Sequence, residues 1–493
     1  MPKRSTGCYA CRERKVKCDE AKPSCNTCTR RSVKCPGYRP EKTFILYNYD
    51  AGVERTENLG EAGNSAQSTN GSEDSDGHGQ MNLVVMSERR PELVTAAVPR
   101  QVSSRAANRA QFLNSFMSAF LPADKFEALT PPSAIIFNLP SATSRREALP
   151  SAIDAVCAAQ LASTYRDAPL VHRSRSLYGT ALSQLIKSLS VRDATNDDET
   201  LLATYLLGIF EIYLGNSGGT GFLSHTQGIL QLLNSRGPVT IKSKLALLVF
   251  NGTRYNSFCI GLVGRKAIFL DEADWLQVTS EISKTDPWVA LMDIAIEVPR
   301  LLESSDKLSA PTVPSKQVEA VLLKFLTLEQ RMLTWLSAFH RNGLRYKIVD
   351  LDSIDMFTDM CNDKTYKTAF SFPSYATANT YILCWTTMLV LKCNRSNINQ
   401  KLHPMTTAQR SDLEQELYMY ATLICQSIPF SCQPSAGSTG RFGTMLPLRF
   451  AREYFLSRGH SAEAAWCMKT YYGTRIRGLY QPSIPISAFP KDL

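Results

Sequence analysis

Six cysteines lie within residues 7–35, and their spacing is that of metal ligands. They are Cys8, Cys11, Cys18, Cys25, Cys28 and Cys35, and the pattern C-x2-C-x6-C occurs twice, displaced by 17 residues. Thiolates are soft ligands for zinc, and two C-x2-C pairs at a fixed spacing are a strong metal-binding signal. One tetrahedral zinc needs four ligands and two separate zincs need eight, so six thiolates complete two ions if two of them bridge.

Other uses of these cysteines are disfavoured by the surrounding sequence. A cysteine–histidine finger or a pair of separate sites lacks ligands, because the first 77 residues contain no histidine. A disulfide framework is not expected either, since the stretch MPKRSTGCYAC has no apolar core like that of a secretory signal. A closed two-zinc cluster leaves no coordination position for a water nucleophile. The sequence therefore predicts two zinc ions with a structural role.

Positive charge is concentrated on the same segment. Residues 1–42 hold 12 Lys and Arg against 4 Asp and Glu, whereas the remaining residues hold 43 against 41. Two zinc ions with six thiolates carry a negative charge, but it is too small to cancel this excess. A cationic segment of this kind favours polyanions through phosphate contacts and counterion release.

The run between the second and third cysteines is a candidate for reading DNA. On a short helix its cations would lie within two turns, with Val16 directed inward. These cations are Arg12, Arg14, Lys15 and Lys17. Arginine and lysine donate hydrogen bonds to O6 and N7 of guanine in the major groove. The alternative interpretations are a solvated basic face and a nuclear import signal.

The segment resembles the fungal binuclear zinc cluster family of transcription regulators. The resemblance rests on the cysteine spacing, on the basic run after Cys11, and on Pro23 two residues before the fourth cysteine. It implies that Cys8 and Cys25 bridge the two ions. One zinc would be held by Cys8, Cys11, Cys18 and Cys25, and the other by Cys8, Cys25, Cys28 and Cys35.

The same resemblance implies roles in DNA binding. Members of the family commonly read CGG-like triplets, and Lys15 matches their main base-reading lysine, with Arg14 beside it. Arg12 and Lys17 are then expected to contact phosphates. When the two halves are aligned, Lys15 corresponds to Ser32, so the presumed reader is not repeated. We therefore expect the first half to read bases, and the second half to contact phosphates through Arg30, Arg31 and Lys34.

The rest of the chain predicts a linker followed by a large helical domain. Residues 43–105 are expected to be a largely disordered linker, because residues 51–80 contain no aromatic residue and six acids. Residues 106–493 show helical patterns, which predict an all-α domain of packed antiparallel helices. The expected helices are 107–120, 151–166, 169–189, 198–214, 221–235, 241–262, 286–304, 315–341, 374–396, 406–428, 440–458 and 460–479.

Two features of this region resemble a membrane span and a hydrolase motif, but the surrounding sequence favours ordinary structural roles for both. The uncharged stretch 368–391 contains Pro373, and its strongly apolar part is too short to span a bilayer, so we interpret it as a buried helix. The segment 215–219 fits the G-x-S-x-G pattern of hydrolases. That motif needs a preceding strand, whereas the preceding pattern here is helical, so a turn is expected instead. His225 is consistent with a ligand contact, but a packed or capped histidine is expected.

Together these observations predict a nuclear, sequence-specific regulator of RNA polymerase II genes that binds double-stranded DNA and is not an enzyme. The region from 106 onward loosely resembles the fungal-specific transcription factor domain, most clearly at FLSHTQGILQLLNSRGP, residues 222–238. It is the candidate for contacts with transcription machinery or with a second copy, and no membrane contact is expected. No heptad run follows the cysteines, so the oligomeric state stays open. The alternatives are a zinc-dependent protein-interaction module and an enzyme in the helical domain. The family resemblance suggests control of a metabolic or secondary-metabolite gene cluster.

Overall fold

A computed structural model describes residues 8–19, 21, 24–31, 33, 35, 104–123, 130–141, 147–190, 197–215, 220–308, 313–343, 345–354 and 357–474. The chain divides into two units, residues 1–99 and 100–493. Residues 43–103 of the expected linker lie outside the described residues, as does the segment after 474, while residues 104 and 105 belong to a helix.

The first unit has a core made almost entirely of cysteine. Its described residues include two short helices, α1 (Tyr9–Glu13) and α2 (Asn26–Thr29). The fully buried side chains are Cys8, Cys11, Cys25 and Cys28, and Val16 packs against them. So few apolar groups cannot offset the entropy of ordering the chain, which is why small modules of this kind depend on a metal for folding.

The second unit is built from helices, as the sequence predicts. They are α3 (Ser104–Phe120), α4 (Pro131–Phe137), α5 (Ala148–Tyr165), α6 (Ala168–Leu189), α7 (Asp198–Leu214), α8 (Thr220–Arg236), α9 (Lys244–Gly264), α10 (Ala273–Gln277), α11 (Pro287–Ala295), α12 (Val298–Lys307), α13 (Ser315–Arg341), α14 (Phe357–Met360), α15 (Tyr375–Leu402), α16 (Thr407–Ser431), α17 (Gly437–Ser457) and α18 (Ser461–Gly473).

Helix α7 shows why local signals located these helices well. The side chain of Asp197 accepts a hydrogen bond from the backbone N–H of Glu199 at the amino end, and the helix stops before Gly215. Every residue from Thr200 to Tyr213 is buried except Glu211. A helix that is apolar on all sides belongs in the interior, and α7 packs against α5, α6, α8 and α9.

One helix expected from the sequence is two separate helices in the structure. The predicted helix 286–304 is interrupted, because α11 ends at Ala295 and α12 begins at Val298 with Pro299 in its first turn. Proline has no N–H and its ring clashes with the preceding turn, so it starts a helix readily and continues one poorly.

Part of the predicted buried helix at 368–391 is a strand. Strand β1 (Lys347–Asp350) pairs antiparallel with β2 (Thr368–Ser371), with Ile348 opposite Phe370. Pro373 separates β2 from α15, which is buried without interruption from Thr377 to Asn394. Most of the stretch is buried, as predicted, but its first seven residues, 368–374, are not helical and Pro373 is exposed. None of the described helices is both long and apolar enough to cross a membrane.

Candidate zinc centre and nucleic-acid interface

The described cysteines form two four-sulfur groups that share two members. One group is Cys8, Cys11, Cys18 and Cys25, and the other is Cys8, Cys25, Cys28 and Cys35. The Sγ atoms of each group lie within 4.8 Å of one another. Cys8 and Cys25 belong to both groups, and their Sγ atoms are 3.6 Å apart. Six sulfurs arranged in this way can complete two tetrahedral ions with two bridging thiolates.

The sequence repeat is also a structural repeat. In the first half the N–H of Cys11 donates to Sγ of Cys8 at 3.4 Å, and in the second half the N–H of Cys28 donates to Sγ of Cys25 at 3.3 Å. The carbonyl of Cys11 accepts from the N–H of Val16 at 3.0 Å, and that of Cys28 accepts from Val33 at 3.1 Å. Each half therefore directs a sulfur pair inward and ends its helix in the same way.

The chemistry of these thiols suits a divalent metal. Burial raises the pKa of the Cys11 thiol to about 12, and burial likewise raises the pKa of Cys8. Thiols packed this closely retain their protons unless a cation compensates for the negative charge of the thiolates. Zinc, which prefers sulfur in tetrahedral sites, supplies that compensation and holds the short helices in place.

Helix α1 ends earlier than expected, and the reason lies at Lys15. The predicted helix carries all four cations of the basic run, but α1 ends at Glu13 and contains only Arg12 of them. Lys15 has φ of 54°, in the left-handed region. The N–H of Val16 reaches back to the carbonyl of Cys11, which is the helix stop called a Schellman motif. The basic run therefore passes over the carboxyl end of α1 rather than along its side.

The cations assigned to DNA from the sequence are on the surface wherever they are described. Arg14, Lys15 and Lys17 are exposed in the first half, and Arg30 and Arg31 are exposed in the second. The side chain of Arg12 and all of Lys34 lie outside the described residues. The structure thus places these five charges on the surface of the cysteine core, available to a polyanion.

Asp19 is a residue that the sequence reasoning missed. Its carboxylate accepts hydrogen bonds from the backbone N–H groups of Asn26 at 3.1 Å and Thr27 at 3.2 Å, at the start of α2. Although desolvation opposes the change, these N–H donors lower the pKa of Asp19. Asp19 therefore connects the loop after Cys18 to the second helix. Its position directly after a cysteine gives no sequence signal for this role.

His225 in the second unit is a packed histidine, as expected, but it belongs to a polar chain. Its Nε2 lies 2.9 Å from the hydroxyl of Tyr178, and that hydroxyl donates to Oε1 of Glu211 at 2.6 Å. Burial lowers the pKa of His225 to about 4 and raises that of Glu211. The segment before the G-x-S-x-G pattern is helix α7 and not a strand, which removes the basis for a nucleophile elbow. Residues 216–219 lie outside the described residues.

Comparison with known proteins finds one family match within each unit. Residues 6–43 match the fungal Zn(2)-Cys(6) binuclear cluster domain, and residues 111–263 match the fungal specific transcription factor domain. Zinc-cluster domains of this type bind two zinc ions and bind DNA. The two matches confirm the resemblance drawn from the sequence, and together they support a fungal transcription regulator. Such families act in transcription and are typically not enzymes.

A curated relative is similar over a smaller part of the chain. An uncharacterized protein of Emericella nidulans is 32% identical over 135 residues, which are 27% of this chain and 29% of that protein. The similarity therefore spans less than a third of the relative's length. No solved structure matches the chain.

Proposed function

We propose that this protein is a nuclear, sequence-specific transcription regulator of RNA polymerase II genes that reads CGG-like sites with the first half of its zinc cluster. The observation that supports the proposal is that Arg14, Lys15 and Lys17 are exposed just after α1, where the N–H of Val16 donates to the carbonyl of Cys11 in the first cysteine group. Zinc bound by the two cysteine groups would make this backbone a rigid support, which reduces the entropy lost when the side chains engage a base.

The proposal assigns roles to the zinc ligands and to the DNA-contacting residues. Cys8 and Cys25 bridge the ions, and the other four cysteines are terminal ligands. Lys15 and Arg14 donate to guanine in the major groove. The remaining cations of the two halves contact phosphates and set the register on the duplex. These are Arg12, Lys17, Arg30, Arg31 and Lys34.

The two kinds of contact can be separated by their effect on specificity. The affinity of the full chain is measured by fluorescence anisotropy for a duplex containing CGG triplets and for a scrambled duplex. Lys15→Ala is expected to lose about 1–3 kcal/mol on the CGG duplex and little on the scrambled one. Ser32→Ala, at the corresponding position of the second half, is the matched control and should leave both unchanged. If Ser32→Ala loses discrimination and Lys15→Ala keeps it, the assignment of the two halves is reversed.

Phosphate contacts have a different signature. Arg31→Ala should weaken binding to both duplexes by a similar factor and reduce the slope of log affinity against log salt by about one. A salt-independent interaction would instead favour the alternative of a zinc-dependent protein-interaction module.

The genes under control are a further part of the proposal. Regulators of this class suggest a metabolic or secondary-metabolite gene cluster. Genome-wide mapping of binding sites tests this directly, because sites scattered among unrelated genes would argue against it.

A further inference from the structure

Hydrogen bonds join the two halves of the first unit outside its cysteine core. Oδ2 of Asp19 accepts from the N–H of Asn26 at 3.1 Å, and Oδ1 accepts from the N–H of Thr27 at 3.2 Å. The hydroxyl of Thr27 lies 3.3 Å from Oδ1 of Asp19 and 3.4 Å from the carbonyl oxygen of Lys17, within reach of both acceptors. The loop that ends the first half is therefore connected to the first turn of α2.

These contacts complete the hydrogen bonds at the amino end of α2. The first N–H groups of a helix have no partner within the helix, so side chains or water must supply the acceptors. The N–H of Cys28 donates to Sγ of Cys25, and the two preceding N–H groups donate to Asp19. The sulfur therefore ties this turn to the cysteine core, and the carboxylate ties the same turn to the loop after Cys18.

The sequence repeat is broken at this position. Asp19 follows the third cysteine, whereas the residue that follows the sixth is Pro36. Proline has no side-chain acceptor, so the second half offers no equivalent carboxylate to α1. The change from Asp19 to Pro36 is thus a difference between the halves in addition to that between Lys15 and Ser32, and neither difference involves a metal ligand.

The contacts lie between the two groups of cations that are proposed to bind DNA. Lys17 ends the exposed basic run of the first half, two residues before Asp19. Arg30 and Arg31 follow α2 directly and are also exposed. The N–H of Arg30 donates to the carbonyl of Asn26 at 2.9 Å, so the position of these arginines depends on the first turn of the helix.

The value of these hydrogen bonds is geometric, because Asp19 is exposed and the stability of such a module comes mainly from its metal. On a specific site, base and phosphate contacts must form together, which requires the binding groups to be held to about 0.5 Å. On scrambled DNA the phosphate contacts can form in any register. A loosened α2 would therefore weaken specific binding more than non-specific binding.

We propose that Asp19 is a positioning residue for DNA recognition, which holds Arg30 and Arg31 at a fixed place relative to the basic run of the first half. The inference rests on the proposed function, because it takes these two groups of cations to be the DNA contacts. Asp19 itself touches no DNA in this assignment and acts through α2.

Three variants of the full chain separate the geometry of Asp19 from its charge. Asp19→Ala removes the acceptor and the negative charge, whereas Asp19→Asn removes the charge and keeps an acceptor, since asparagine caps a helix as well as aspartate does. Glu13→Ala is the matched control, because Glu13 is an exposed acid of the same unit that makes no hydrogen bond among the described residues. Affinities for the CGG and scrambled duplexes are measured by fluorescence anisotropy, and zinc content is measured by mass spectrometry.

The expected signature is a loss of discrimination in Asp19→Ala alone. Removal of a negative charge near DNA should raise the affinity of all three variants for both duplexes by a similar factor. Asp19→Ala should in addition lower the ratio of the two affinities about fivefold, the usual effect of losing a helix cap. Asp19→Asn and Glu13→Ala should keep the ratio, and all three variants should retain two zinc ions.

A combined variant tests whether Asp19 acts through the arginines of the second half. In an Arg30→Ala/Arg31→Ala background, Asp19→Ala should have little effect on the ratio of affinities, because the cations that it positions are already gone. An undiminished effect in this background would show that Asp19 acts by another route and would overturn the inference.

Further outcomes also decide against the inference. If Lys15→Ala lowers the ratio of affinities and Asp19→Ala does not, the proposed function stands and the positioning role is wrong. Loss of zinc from Asp19→Ala would make Asp19 a residue of the metal-binding fold instead. An equal loss of discrimination in Asp19→Asn would show that charge and not geometry matters. If the unaltered chain binds both duplexes equally, the proposed function itself fails, and the inference fails with it.

Discussion

The Sγ atoms of Cys8 and Cys25 lie 3.6 Å apart, and these two thiols are the pair that both four-cysteine groups contain. Removal of a shared ligand should therefore affect both zinc ions, whereas removal of a terminal ligand should affect only one. Loss of a terminal thiolate leaves the other ion with four sulfurs, whereas loss of a shared one leaves both ions with three.

We expect Cys8→Ala to lose both zinc ions and Cys35→Ala to retain one. Metal content of the purified full chain, measured by mass spectrometry, gives the stoichiometry. The variant Cys157→Ala is the control, because Cys157 is buried in the helical unit and belongs to neither group. It should retain both ions. Equal stoichiometry in Cys8→Ala and Cys35→Ala would rule out the shared arrangement.

Lys15 combines an unfavourable backbone with a proposed role in DNA reading. A residue with a side chain costs about 1 kcal/mol or more at its φ of 54°, whereas glycine occupies this region freely. We therefore expect Lys15→Gly to hold zinc more firmly than the unaltered chain and yet to lose discrimination for the CGG duplex. The two measurements are zinc release to a competing chelator and the ratio of affinities for specific and scrambled DNA.

Lys15→Ala is the matched control for this separation. It removes the same ammonium group but keeps the unfavourable backbone, so it should lose discrimination without any gain in zinc retention. If both variants retain zinc equally well, the left-handed conformation does not limit the stability of the cluster.

The zinc cluster could be predicted because its ligands are close together in the sequence. The geometry of the proposed DNA-binding surface was harder to predict. The cysteine spacing predicted a two-zinc cluster with two bridging thiolates, and the family resemblance implied which cysteines form the two groups. The end of α1 depends on a hydrogen bond between Cys11 and Val16 across a left-handed residue that is not glycine, and no propensity rule anticipates lysine there. Asp19 was missed because its partners, Asn26 and Thr27, lie seven and eight residues further along the chain and meet it only in the folded module.

In the helical unit, too, elements with local sequence signals were predicted, and elements that depend on tertiary contacts were missed. Helix α7 was predicted from its capping residues and α13 from its periodicity, both with the bounds that the structure has. Strand β2 was missed because its four residues, TAFS, are too few to show the period of a strand.

His225 should make the helical unit sensitive to acid. Its pKa is about 4 in the folded protein, because burial disfavours the charged ring, against about 6.5 in an unfolded chain. Between these values the unfolded state binds the proton and the folded state does not, so stability falls as the pH drops from about 6.5 to 4. The full effect is about 3 kcal/mol. Glu211, whose pKa is raised by burial, acts in the opposite direction, since its contribution falls as pH rises.

Urea unfolding at several pH values measures this effect. All five tryptophans lie between residues 275 and 466, so their fluorescence follows the helical unit. His225→Gln, which can still donate to the hydroxyl of Tyr178, should remove most of the loss below pH 6.5. His172→Gln is the control and should keep the loss, because the side chain of His172 is exposed. An unchanged pH profile in His225→Gln would show that His225 is charged in the folded protein.

The hydroxyl of Tyr375 occupies the space that a side chain at position 443 would need. A Cβ atom at Gly443 would lie 2.5 Å from the hydroxyl oxygen of Tyr375, closer than real contacts allow, and 3.8 Å from the ring carbon that bears it. The conflict is therefore with the hydroxyl alone. That hydroxyl donates to the carbonyl of Thr439 at 3.0 Å, so it cannot move without losing a buried hydrogen bond.

We expect Gly443→Ala to destabilise the helical unit by about 1–3 kcal/mol, as overpacking does. In a Tyr375→Phe background the same change should instead stabilise it by about 0.5–1 kcal/mol, because the conflict is gone and alanine favours a helix over glycine. Gly179→Ala on α6, where nothing lies within 4 Å of the new Cβ, should be stabilising in both backgrounds. Urea unfolding followed by tryptophan fluorescence gives the free energies. If Gly443→Ala costs the same with and without the Tyr375 hydroxyl, the two positions are not coupled through it.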